Sequence, residues 1–136
     1  MKKIIITGSS GMLGSHLLTF LNNKFEILGL DRNIWPGNEN IKTISLDLTD
    51  FNELKNIIKV FNPNVIINCA AMTDVNKCED HPKDADVINH ILPMNLCSYA
   101  PRFCKLIQIS TDAIYGYNEK PFKSETDQVY PNNIYA

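Results

Sequence analysis

The stretch "KIIITGSSGMLG", residues 3–14, decides how this chain folds. Three consecutive isoleucines read as a strand buried on both faces, since a half-exposed strand would alternate apolar and polar residues. Gly8, Gly11 and Gly14 follow at three-residue intervals, and Leu13, Leu17, Leu18 and Leu21 then recur at helical spacing. A strand that turns through glycines into a helix opens a βαβ unit. Glycine costs about 0.5–1 kcal/mol relative to alanine inside a helix, so three of them here imply a ligand that comes close to the backbone. In that reading Gly8 permits the tight turn and Gly11 lets a pyrophosphate approach the helix N-terminus. Gly14 lets helix and strand pack closely.

Outward from this stretch, short apolar runs alternate with helix-length amphipathic ones. "FEILGL" (25–30), "KTISL" (42–46), "NVIINCA" (64–70) and "KLIQIS" (105–110) join residues 3–7 as strands. After the third strand, Thr49 or Asp50 offers an N-cap. Phe51, Leu54, Ile57, Ile58 and Phe61 then line one helical face until Asn62-Pro63-Asn64 stops the helix. Residues 82–104 read as mostly helical, with Pro93 bending or restarting the helix and Pro101 interrupting it. Strands alternating with helices require crossovers and hence a parallel sheet. The expectation is a single α/β domain over residues 1–136. It is a doubly wound, Rossmann-like parallel sheet, truncated after the fifth strand and a polar, turn-rich active-site loop from Gly116 onward.

Composition narrows the partners. The 136 residues carry a net charge of −2, with 44% hydrophobic and 21% charged residues. The lysines are scattered, so neither nucleic acid nor an anionic membrane surface is implied as a partner. "MKKIIITG" is too short for a signal peptide and no 18-residue apolar run exists, which leads to the expectation of a cytoplasmic protein. Cys69, Cys78, Cys97 and Cys104 form no CxxC pair and read as reduced thiols packed as small hydrophobes. Cys97 and Cys104, seven apart, fall on one face of a helix in this reading. His16, His81 and His90 have neither metal-ligand nor triad spacing, so no metal site is expected.

A second residue supports the glycine loop. Asp31 stands at the end of the second strand, seventeen residues after Gly14, where a carboxylate can bond the adenosine ribose hydroxyls. Its neighbour Arg32 can meet a 2′-phosphate, so NAD and NADP both fit the pattern. Asp47 and Leu48 follow the third strand and can flank the adenine. Within the loop, Ser10, Met12 and Leu13 join the three glycines as candidate cofactor-binding residues.

Taken together, G-x-x-G-x-x-G, "NCAAMTDVNKCEDHP", "VINHILPMNLC", "ISTDAIYG" and "PNNIYA" resemble the extended short-chain dehydrogenase/reductase family. "STD" at 110–112, the proline of "LPMNL" and "KPFKSETD…YPNNIY" make the chain most similar to its dTDP-4-dehydrorhamnose reductase branch. The resemblance implies NAD(P)-dependent reduction of a 4-keto nucleotide sugar, with the nucleotide sugar as substrate of the full-length form and a homodimer as one assembly. It assigns catalytic roles to Thr111 and Tyr135. Ala70 and Ala71 would be the small residues beside the cofactor, Thr73 would line the ribose or nicotinamide side, and Asn89 would lie close to the nicotinamide. Reduction of a ketone needs hydride on carbon and a proton on oxygen. A tyrosine beside a cation can give that proton, and a threonine hydroxyl can hold the carbonyl oxygen.

Two departures from the family pattern stand out. Met72 replaces the usual tyrosine, and the sequence ends one residue after Tyr135, before the lysine expected four positions further on. The chain therefore looks like the N-terminal part of a longer family member, and alone it is expected to bind cofactor without turnover. A nucleotide-sugar epimerase or dehydratase, a non-catalytic relative such as a regulatory subunit of methionine adenosyltransferase, and a short module that assembles with another chain are the alternatives.

Overall fold

The computed structural model describes residues 1–37, 40–117 and 122–136. Strand β1 (Lys3–Thr7) runs into helix α1 (Met12–Leu21), then β2 (Glu26–Asp31) and β3 (Lys42–Ser45). Helix α2 (Phe51–Phe61) leads to β4 (Val65–Asn68). A short helix α3 (Val75–Asp80) precedes a longer helical run, α4 (Pro82–Asp86), a π-helical turn (Val87–Ile91) and α5 (Leu92–Tyr99). Strand β5 (Lys105–Gln108) and a 3₁₀ turn (Asp112–Tyr115) follow. All strand pairs are parallel, in the order β3-β2-β1-β4-β5. That order reverses between β1 and β4, which opens a crevice beyond the strands' carboxyl ends.

Burial explains the arrangement. Ile5, Leu28, Leu30 and Ile66 point to one face of the sheet and pack with Leu54, Ile57, Ile58 and Phe61 of α2 and Leu92 and Leu96 of α5. Ile4, Ile6, Ile27 and Ile67 point to the other, where Leu18 of α1 meets them. Helix α2 begins at Asp50, whose carboxylate accepts the Glu53 N–H at 3.1 Å. It ends at Asn62, which takes the left-handed conformation (φ 53°) ahead of Pro63.

The sequence-based strand limits hold within two residues, β4 and β5 each ending two residues before the expected limit. No helix occurs among the described residues of the β2–β3 crossover. Pro93 restarts rather than breaks the helix. It lacks an N–H, and its ring opposes the carbonyl of Asn89 four residues back. The chain widens there, and the Leu92 N–H reaches the Val87 carbonyl. Helix α5 ends at Tyr99, so Cys104 lies in the link to β5 and not on one helical face with Cys97, which is exposed. All four cysteines are free. No helix among the described residues is long and apolar enough to cross a membrane.

Candidate functional site

Two buried side chains organise the strand ends. The Thr7 hydroxyl donates to Asn68 Oδ1, and both residues are fully buried. Asn68 Nδ2 donates to Gln108 Oε1 at 2.7 Å, so a polar relay joins β1, β4 and β5. Its members lie 61 and 40 residues apart in sequence, which is why pattern reading does not find them.

Above this relay the glycine loop crosses β4. Gly8 has φ 65°, and a Cβ there would stand 2.6 Å from the Ala70 nitrogen. At Gly14 a Cβ would lie 2.2 Å from the Gly8 carbonyl oxygen. Both glycines are thus required by the protein's own packing. Gly11 differs, because its nearest obstacle is the same oxygen at 3.2 Å and it lines a cavity of about 990 Å³. Gly11 also caps α1 without any side-chain hydrogen bond, and the first turn of α1 holds no acidic residue. By contrast α2 and α3 are capped by Asp50 and Asp74. The N–H groups opening α1 are therefore left for another acceptor.

The cavity brings together most of the sequence-predicted residues. Gly8, Ser10 and Gly11 line it from the loop, Asp31, Arg32, Asp47 and Leu48 from β2 and β3, and Ala70, Ala71 and Thr73 from the end of β4. Asp31 is tied in place, with Oδ2 accepting the Ser10 N–H at 3.1 Å and Oδ1 the Asn33 N–H at 3.2 Å. The Thr49 amide and hydroxyl, joined by the positive charge of Arg32, hold the Asp47 carboxyl below its ordinary range. Cys69 also lines the cavity, and burial pushes its thiol upward. Lys77 and Asp84 are lining residues that carried no sequence signal, because they sit on α3 and α4 among other charges.

Other candidates lie elsewhere. Met12 and Leu13 are exposed on α1, outside the cavity lining, and Gly14 is buried behind the loop. Asn89 does not line the cavity but bonds a residue that does: Oδ1 accepts the Met72 N–H at 2.8 Å and Nδ2 donates to the Met72 carbonyl at 3.0 Å. It clamps the segment after β4. Tyr135 joins Asn89 and His90 along a second cavity of about 330 Å³ beside α4. It is held there because the Ile134 N–H donates to Glu79 Oε1 at 2.8 Å. Thr111 opens the 3₁₀ turn, its oxygen accepting the Ala113 N–H at 3.2 Å, so its own proton remains for a further acceptor. The loop expected from Gly116 folds back on this turn: the Tyr130 N–H donates to the Ile114 carbonyl at 2.8 Å and Tyr115 donates to Ser124 at 3.0 Å. Residues 118–121 of that stretch, including Lys120 and Pro121, lie outside the described residues. His16, His81 and His90 are exposed, and no metal-holding cluster occurs among the described residues.

Comparison with known proteins places this geometry. The family model described as RmlD substrate binding domain matches residues 1–136. The dTDP-4-dehydrorhamnose reductase of Aggregatibacter actinomycetemcomitans is 34% identical, across 100% of this chain and 44% of its own length. Among solved structures, the dTDP-4-dehydrorhamnose reductase of Bacillus anthracis in complex with NADP matches with TM-score 0.83 and 32% identity, over 99% of this chain and 45% of that one. The UDP-Glc/GlcNAc 4-epimerase of Campylobacter jejuni matches with TM-score 0.88 and 30% identity, again over 99% and 45%. The chain spans a little under half the length of these relatives.

Proposed function

The chain belongs to the RmlD substrate binding domain family within the extended short-chain dehydrogenase/reductases, and from that premise we propose that it holds NAD(P)(H) for the reduction of a 4-keto nucleotide sugar. One observation carries the reading. At the β1/β4 crevice, Gly11, which opens α1 without a side-chain cap, and a carboxylate tethered by the glycine loop line one cavity. A pyrophosphate would accept from the opening amides of α1, favoured by the positive end of the helix dipole. Asp31 would take the ribose hydroxyls, and Ala70 and Ala71 leave room where larger side chains would collide.

When bound, a reduced nicotinamide supplies hydride to the substrate carbon. The chain's own part is to bind, orient and move a proton. Thr111 would donate its hydroxyl proton to the substrate's carbonyl oxygen, steadying the charge that develops there. Tyr135 would deliver the proton that completes the alcohol. Asn89 acts at one remove, by fixing the Met72 main chain that borders the cavity. The chain matches a little under half the length of its relatives, and we expect these 136 residues alone to bind dinucleotide without measurable turnover.

The test is a fluorescence titration of the chain with NADH and NADPH. Saturable binding of either, weakened at least tenfold in Gly11→Ala, is the expected result. Absence of binding by both at millimolar concentrations overturns the reading.

A further inference from the structure

Lys77 lines the proposed dinucleotide cavity from α3, yet neither the sequence pattern nor the proposed reaction gives it a role. Its main chain is fixed from two sides. The Asp74 carboxylate accepts the Lys77 N–H at 3.1 Å. The next residue, Cys78, is fully buried, and its thiol donates to the Met72 carbonyl at 3.3 Å. Lys77 itself is exposed, and its ammonium makes no ion pair or hydrogen bond among the described residues.

The charges around the cavity give that free ammonium its meaning. Asp31, Asp47, Asp74 and Asp84 line it against Arg32 and Lys77, four carboxylates to two cations. The other five groups already have counterparts. The Ser10 and Asn33 amides hold Asp31, while Thr49 and the charge of Arg32 hold Asp47. Asp74 caps α3, and Asp84 stands in the first turn of α4, where the helix dipole favours a carboxylate. Lys77 is left over. A diphosphate entering here adds negative charge to a lining that is already negative. The opening amides of α1 can donate to it, but residues 8–15, the glycine loop and the first turn of α1, contain no lysine or arginine. The sheet order sets Arg32 and Asp47 on the β2–β3 side of β1, whereas α3 follows β4 on the other side. The cation without a carboxylate partner thus stands across the crevice from the paired one.

We propose that Lys77 binds the diphosphate of the dinucleotide, meeting from the β4 side of the crevice the group that the α1 amides meet from the loop. The inference rests on the cavity being a dinucleotide site. A compact ammonium on a flexible stem suits contact with a phosphate oxygen, and the fixed main chain of α3 aims that stem from one place.

The experiment measures Kd for NADH and for ADP-ribose, which keeps the diphosphate and lacks the nicotinamide, on the 136-residue chain and on Lys77→Gln, Lys77→Arg and Lys83→Gln. Lys83 is an exposed lysine of α4 that does not line the cavity, and it controls for the loss of one charge. Lys77→Gln should weaken both ligands at least fivefold and flatten the dependence of Kd on salt. Lys77→Arg should stay within about threefold of wild type and Lys83→Gln within about twofold. Either ligand should also protect Lys77, and not Lys83, from acetylation read by mass spectrometry. Wild-type affinity in Lys77→Gln, an equal loss in Lys83→Gln, or a loss confined to NADH overturns the inference while leaving the dinucleotide site standing. Binding of neither ligand by the unmodified chain overturns both. Should Lys77→Gln fail to fold, the acetylation pattern of the unmodified chain decides the matter alone.

Discussion

Gly11 and Gly14 stand three residues apart yet answer to different constraints. An added methyl at Gly14 would meet the Gly8 carbonyl oxygen at 2.2 Å, a backbone atom held by the tight turn. Gly14→Ala should therefore destabilise the chain by about 3 kcal/mol, the upper end of what overpacking costs. At Gly11 the same methyl stands 3.2 Å from that oxygen, a crowding of only a few tenths of an ångström, and the residue lines the cavity. Gly11→Ala should keep its urea midpoint close to wild type and lose dinucleotide affinity. Equal loss of stability in both variants would remove the distinction. The relay from Thr7 to Gln108 offers a complementary measurement. Asn68→Leu strands the fully buried Thr7 hydroxyl, whereas the exposed Gln108 can turn to solvent, and an unsatisfied buried group costs about 1–3 kcal/mol. Denaturant unfolding should register a loss of roughly 1–3 kcal/mol, with little change in secondary structure.

Elements differ in how far the sequence announces them. Strands β1, β2 and β4 are legible because a strand buried on both faces needs an unbroken apolar run, and few other structures use one so short. Helix α2 is legible because Leu54, Ile57, Ile58 and Phe61 share a face. Helix α3 is not: "VNKCED" holds only Val75 and Cys78 as apolar residues, too few for a periodic signal, and its one cue is the Asp74 cap three residues before Lys77. The site follows the same division. Its loop and strand-end residues could be located from local spacing, whereas the Asn89–Met72 clamp depends on a π-helical turn that no periodicity reveals. That turn makes its own prediction. Pro93→Ala removes the ring that opposes the Asn89 carbonyl and lets a regular α-helix compete with the wider turn. Asn89 would then rotate off Met72, and hydrogen exchange at the Met72 amide should accelerate at least tenfold at unchanged helical content. Unaltered exchange would mean that the clamp does not depend on the turn.

At the scale of the whole molecule the two sheet faces are covered unequally. Helices α2 and α5 close one face as far as β5, whereas α1 covers the other mainly over β1 and β2, with Leu18 packed in the same cluster as Ile67 of β4. Ile67 on that second face is still buried, but its register partner Ile107 is 47% exposed and Ile109 is 41% exposed. Phe103, just before the strand, is 87% exposed. Apolar side chains grouped in this way on a parallel sheet favour contact with any apolar surface that becomes available. The chain alone should therefore self-associate with rising concentration. Replacing Ile107 and Ile109 by glutamate should keep it monomeric in sedimentation, with its melting temperature within a few degrees of wild type. Neither residue lines the cavity, so dinucleotide affinity should be the same in the double variant. Association through this face and ligand binding at the strand ends would then be separable properties. A double variant that stays monomeric but loses dinucleotide binding would instead mean that the cavity keeps its shape only when the open face is covered.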